Sequence, residues 1–474
     1  MKMKKLKLFL CMFSLMLTLI AATSIVYADS TPEGTPVSTP EQLLAMENEG
    51  SYYLVNDIDL SAYPNKSISE SEFEFKGTID GNGFKIKNFF TTVGVNEPNR
   101  IEHGLFINAY GATFKNIELE NVSISVKATN GDLIRIGALV SYSNECTFTN
   151  VKVSGKINLS SDIDGTDCSV GGIFGIANNP TVSDCQSATD ITVSGVSEPN
   201  VSGIGEINSA SYFTISGCKN SGNISVIKTG SGNALVSGLF SSGFNGDGLT
   251  LANCKNIGKV ALGVKKKTKE KSTYYVAGLC TAAEELIRCG NEETIKLTGK
   301  LANSSIRIAG LSASGTNKIS QSYNSGKIFI DAASTPEFLE GAGIVAYSNG
   351  SSGCYVKNSY NSGNVTYKGS VNKKSKDMIC LAGITNCTGH KISYCYNTGS
   401  INASKNVGTG AIVQSWHKVK KTGNYYTKGT SNYRSSEIKK VSKISKSQCP
   451  KLSSKYWIYS SKKGRMILRN NKEA

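Results

Sequence analysis

A repeat of 33–37 residues running from Phe114 to Ile401 limits what this chain can fold into more than any other feature of its sequence. Each copy opens on an apolar residue: Phe114, Phe148, Val182, Ile215, Leu251, Leu286, Ile319, Val356 and Ile392. Three residues on comes a small or apolar one, namely Ile117, Val151, Cys185, Cys218, Cys254, Cys289, Ser322, Ser359 or Cys395. Six further on, in eight of nine copies, comes Ile157, Ile191, Ile224, Val260, Ile295, Ile328, Val365 or Ile401. A fixed period of this length specifies stacked units rather than independent globular domains.

A second phrase, a small residue followed by Leu or Ile, precedes each copy by about a dozen residues. Examples are Gly104-Leu105, Gly172-Ile173 and Gly238-Leu239, and a tenth, Ala411-Ile412, follows the last copy. Each period thus carries three short strand-like pieces rich in Val, Ile, Thr and Tyr, none long enough for a helix of ten residues. Ten such periods describe a parallel β-helix with one coil per repeat, each coil burying its apolar side against its neighbours.

The phrase resembles that of the GLUG-repeat family of bacterial secreted and surface proteins, with Gly172-Ile173-Phe174-Gly175 the best copy. The opening coil is similar too, at Asn56-Asp57-Ile58-Asp59-Leu60 and Phe75 to Gly83. The resemblance implies an all-β, right-handed parallel β-helix of about ten coils outside a bacterial cell. The hand comes from the family and from the general rule for parallel crossovers. Thr39-Pro40-Glu41-Gln42 reads as a capped helix start, so a short helix to about Asn48 should cover the open N-terminal end.

Lys2, Lys4, Lys5 and Lys7 precede an apolar run from Leu8 to Ala22 and a small-residue cleavage site at Val26-Tyr27-Ala28. Residues 1–28 therefore read as a secretory signal peptide. The expected organisation continues with a linker and helical cap over 29–50, the β-helix over 51–427 and a basic closing segment over 428–474. No later run is long enough to span a membrane, so the expectation is a secreted chain, held to a surface non-covalently if at all.

Of 52 basic and 36 acidic residues, 13 basic and two acidic ones fall between Lys428 and Ala474. Outside a cell, that tail suits anionic wall polymers or acidic polysaccharides rather than nucleic acid. Lys439, Lys440, Lys443, Lys446, Lys462, Lys463 and Arg465 are its candidate contacts. A solvated closing strand kept from pairing by its charge is the plainer reading.

Three ladders follow from the register. Cys185, Cys218, Cys254 and Cys289 recur at one position and alternate with Ser later, which suits small buried thiols better than disulfides. Cys380 and Cys387 are the pair to examine for a bridge. Asn220, Asn256, Asn291, Asn324, Asn361 and Asn397 suit a left-handed coil corner with stacked amides, and the Gly two residues later suits the same turn. Between those rows run Tyr323, Tyr360 and Tyr396, with Tyr426 aligning next. A residue between two inward neighbours points outward, so these four would form an exposed stripe suited to sugar rings or a partner protein.

Catalytic signals are few. The outward row Asn116, Asn150, Asp184, Gly217, Asn253, Arg288, Gln321, Asn358, Tyr394 stacks no carboxylate pair. His103, His390 and His417 are scattered. The Asp-rich run 162–167 lacks the Glu that a calcium loop requires, Ile173 standing there instead. No cofactor or metal is expected. The sequence points to a non-enzymatic interaction protein for glycans, wall polymer or a host surface. A β-helix polysaccharide lyase or glycoside hydrolase, and a structural stalk, are the alternatives; two acids and an Arg meeting in a groove would favour the enzyme.

Overall fold

The computed structural model describes residues 33–473 apart from 69–73, 96–99, 130–132, 162–166, 209–212, 243–247, 267–269, 348–353, 372–377, 387–390, 415–419 and 430–437. The signal peptide, Cys387, His390, His417 and most of the Asp-rich run lie outside the described residues.

The repeat becomes an all-β parallel solenoid. One coil runs through Asp167–Gly171, Phe174–Asn178, Thr181–Ser183 and Gln186–Val196, which we call its first to fourth walls. Four pieces replace the three expected, because the Gly-Leu phrase is itself the corner between the first two. Its Leu or Ile points into the core, and its backbone bonds the next coil, as in Leu139 N–H to Ile173 O (2.9 Å) and Ile173 N–H to Ile204 O (2.9 Å). The small residue there is a packing requirement: a Cβ on Gly238 would meet the Gly278 carbonyl oxygen at 2.0 Å.

Among the described residues, the first three walls hold ten, eight and thirteen strands. Coils complete in every wall therefore number about eight, fewer than the ten expected. Among the described residues, the second wall continues beyond Ser314 as single bridges through Val345, Thr385 and Val413. Described strands pair in parallel from coil to coil, except for an antiparallel hairpin of Trp457–Ser460 with Arg465–Leu468.

The repeat's apolar marks are the observed register. Phe114 pairs with Phe148 and Phe148 with Val182; Leu251, Leu286, Ile319, Val356 and Ile392 follow in line, all buried. Phe114 and Phe148 stack at 5.3 Å, extending a column that includes Phe75, Phe106 and Phe174. Each such ring contributes about 1.5–3 kcal/mol by leaving water.

The polar ladders are ordered differently from the expectation. The left-handed corner belongs to the row one residue before the small position, with φ of 55° at Asn116, 53° at Asn150, 54° at Asp184 and 56° at Asn253. The Asn220-to-Asn397 row has no such backbone and is wholly buried inside the coils. Its amides do bond one another, Asn256 to Asn291 at 2.8 Å, Asn291 to Asn324 at 2.7 Å and Asn324 to Asn361 at 2.7 Å. The Gly two residues on is needed for close approach: a Cβ on Gly258 would meet the Gly222 oxygen at 1.9 Å.

Cys185, Cys218, Cys254 and Cys289 are buried free thiols. Each bonds a carbonyl two residues back, as Cys254 does to Ala252 (3.3 Å), and Ser322 does the same to Ser320 at 2.9 Å. Cys and Ser therefore alternate because the position wants a small donor, which either supplies.

At the N-terminus the helix is shorter than expected, Pro40–Leu44. The Thr39 hydroxyl accepts from Gln42 N–H, while the Gln42 side chain bonds the Ser38 N–H at 2.7 Å, one residue before the position a capping box uses. Leu43 and Met46 join the core.

Candidate functional site

The tyrosine stripe is not exposed. Tyr323, Tyr360 and Tyr396 do point out of their coils and stack at 5.4 and 4.8 Å, yet each is 0% exposed. The C-terminal segment folds back over them, packing Ile444, Cys449, Leu452, Trp457, Met466 and Leu468 onto the rings. Outward from the coil is therefore a second core here. Tyr426 is not the next member: Tyr425 pairs with Tyr396, and Tyr426 falls on the inward row beside Asn397. None of the four tyrosines can act as an exposed binding stripe.

The same strap divides the basic residues. Arg465 donates to Glu473 at 2.5 Å and to the Ser362 hydroxyl at 3.0 Å, and Lys463 lies 3.9 Å from Glu473. Arg465 is thus a fastening of the strap rather than a polymer contact. Lys439, Lys440, Lys443, Lys446 and Lys462 face solvent. Asn471 completes the fastening, donating to the carbonyls of Cys289 and Gln321 at 3.0 Å each.

The first and second walls meet at the Gly-Leu corner. There a groove of about 230 Å³ is lined by Asp167, Glu198, Asn200, Asn233, Tyr275 and Thr281, among others. Asp167 and Glu198 are register partners on neighbouring coils, as are Ser169 and Asn200 two residues on. The second wall adds Glu206, only 7% exposed, which accepts from the Ser169 hydroxyl at 2.5 Å and the Asn200 amide at 3.3 Å. Burial pushes the Glu206 carboxyl above the usual range, against those two hydrogen bonds. Burial, then the Glu198 charge, pushes Asp167 up as well.

An arginine and tyrosine cluster bounds each end. At one, Arg135 lies 4.6 Å over the Tyr142 ring and 3.2 Å from Glu102. At the other, Arg307 lies 3.8 Å over Tyr347, donates to the Tyr275 hydroxyl at 2.9 Å and faces Glu340 at 3.4 Å. Burial raises the Glu340 carboxyl to about 7 despite Arg307. A carboxyl raised on folding is most stabilising when protonated, so its contribution should fall as pH rises from about 4.5 to about 7. Urea melts of Glu340→Gln across that window should show a flatter pH slope than wild type; an unchanged slope would refute the assignment.

Two acids in register line the groove, and Glu206 stands beside it, bonded to the groove residue Asn200. Among the described residues, no three His, Cys, Asp or Glu side chains converge as a metal-binding set. No described helix is long and apolar enough to cross a membrane.

No family model and no curated protein matches this chain. Among solved structures, a candidate immunoglobulin A1 protease from Bacteroides ovatus, crystallised and refined at 1.30 Å, is similar. Identity is 13% over 64% of this chain and 86% of that one, with a TM-score of 0.33. A likeness this distant carries neither fold nor function across.

Proposed function

We propose that this chain is an exported, non-enzymatic glycan-binding protein whose ligand lies in the groove between the first and second walls. The carrying observation is the lining itself: carboxylates, amides and hydroxyls around the half-buried ring of Tyr275. Sugars present the same alternation of hydroxyl edges and apolar ring faces. In this reading the solenoid is right-handed and of the GLUG-repeat type, residues 1–28 direct export, and the Pro40–Leu44 helix closes the N-terminal end. Binding of the mature chain to a glycan array, repeated with Tyr275→Ala, tests it. Affinity for the best hit should fall about tenfold, roughly 1.4 kcal/mol; undiminished affinity would move the ligand elsewhere.

The exposed lysines of the tail would hold the rod to anionic wall polymer. Replacing Lys439, Lys440, Lys443, Lys446 and Lys462 by Ser should lower the salt needed to elute the protein from such a polymer, because each contact releases counterions. Elution at the wild-type salt concentration would remove the tail from this role.

A second reading, glycoside hydrolysis, is favoured by Glu206. A buried carboxyl held towards its protonated form can act as a general acid, with Asp167 or Glu198 activating water. Release of reducing ends from an array hit, lost in Glu206→Gln, would establish it over simple binding.

A further inference from the structure

We propose that the groove takes a glycan bearing a sugar carboxylate, which Arg307 holds in competition with Glu340. This rests on the glycan-binding reading above and names the class of ligand. The outward row of the first wall sets the geometry. Asn200, Leu235, Tyr275, Arg307 and Glu340 are successive register partners, one on each coil. Arg307 therefore stands about 4.8 Å beyond Tyr275 along the rod, close to the length of one sugar in an extended chain. A ring seated on Tyr275 brings the substituents of the next ring to the guanidinium.

Arg307 is held ready for that contact. Its guanidinium lies 3.8 Å over the Tyr347 ring and donates to the Tyr275 hydroxyl at 2.9 Å, yet the side chain keeps 21% exposure. A planar fork fixed against aromatic rings offers its remaining donors in the geometry a carboxylate accepts. Among the described residues its carboxylate partner is Glu340, at 3.4 Å. The strands around it, Ser272–Ala277, Cys280–Ala282, Ser312–Ser314, Phe338–Ala342 and Ile379–Ala382, bring no other carboxylate or amine, only the phenol of Tyr275 and the thiols of Cys280 and Cys380. Glu337, just ahead of Phe338, pairs with Lys271 at 3.4 Å.

Glu340 is a weak rival for that charge. Burial keeps its carboxyl protonated up to about pH 7, so in mildly acidic solution Arg307 lacks a counter-charge that a ligand carboxylate can supply. Asp167 and Glu198 do not oppose this. Glu198 shares its strand with Asn200, three coils or about 14 Å from Arg307, and Asp167 lies one coil further, both beyond the roughly 8–10 Å over which exposed charges act in salt. Arg135 is not equivalent to Arg307, because Glu102 faces both it and Arg100, at 3.2 and 2.7 Å.

Calorimetry with tetramers of glucuronate and of glucose, which differ only in the sugar carboxylate, decides the matter. Near pH 5.5 the glucuronate tetramer should bind at least about tenfold more tightly than the glucose tetramer. Near pH 8.5 that preference should shrink several-fold, because Glu340 is then ionised and pairs with Arg307. Glu340→Gln should hold the preference at both pH values, and Arg307→Gln should abolish it. The second variant separates the groove from the lysines of the tail, which attract any polyanion. Equal binding of the two tetramers near pH 5.5, or a preference that survives Arg307→Gln, would overturn the carboxylate assignment and leave glycan binding standing. A wild-type preference that ignores pH would overturn the competition with Glu340. Failure of both tetramers would overturn the assignment, and failure on the glycan array as well would overturn both readings.

Discussion

Trp457→Ala should release the C-terminal strap from the side of the rod while leaving the early coils folded. The Trp457 ring stands 6.0 Å from Tyr360 and 5.4 Å from Tyr396, closing a small core separate from the one inside the coils. Truncating a buried Trp costs about 3–5 kcal/mol. Among the described residues that core holds ten buried side chains, so the loss falls on one short segment. Solenoid stability is local, so the coils before the tyrosine ladder have no reason to follow. Limited proteolysis should cut the variant first between Val441 and Glu473 and leave a resistant solenoid, with tyrosine emission changed. A variant cleaved no faster than wild type would mean that the strap is held by its polar fastenings, Arg465 with Glu473 and Asn471 with two coil carbonyls.

The second large effect is expected inside the rod. Asn324→Ala interrupts the amide ladder at its middle. The Asn324 amide donates to Asn361 and to the Gly326 carbonyl, and its oxygen accepts from Asn291. Removing it leaves three buried groups short of a partner, at about 1–3 kcal/mol each. A loss of roughly 3–9 kcal/mol should appear in urea melts, whereas Cys254→Ser, which keeps a small donor, should cost far less. A loss below about 1 kcal/mol would show that the neighbouring amides re-pair around the gap.

Much of the fold was legible because the solenoid repeats its chemistry in register. The apolar marks from Phe114 to Ile392 and the Gly-Leu corners are the ladders that the structure builds. What sequence missed lies where the chain leaves that rhythm. Alternation correctly placed Tyr323, Tyr360 and Tyr396 outside their coils, but nothing local says that residues more than a hundred positions away will cover Tyr323. Tyr426 was misassigned because Tyr396 pairs with Tyr425, one residue short of the register assumed. The carboxylate groove has no counterpart in the row before the small position, which is a corner on the far walls. Aligning instead on the Gly-Leu phrase places Asp167 and Glu198 each five residues before it, at Gly172 and Gly203. Glu206 carried no such signal. The stretch from Gly203 to Asn208 is one residue shorter than that from Gly172 to its register partner Asn178, so its register slips.

A crystal structure of the mature chain soaked with its best-binding glycan tests the groove most directly. Sugar rings against Tyr275, with hydroxyl groups on Asp167, Glu198 and Asn200, are the expected result. A ligand seated instead on the lysines of the tail, with the groove empty, would contradict the assignment of this site.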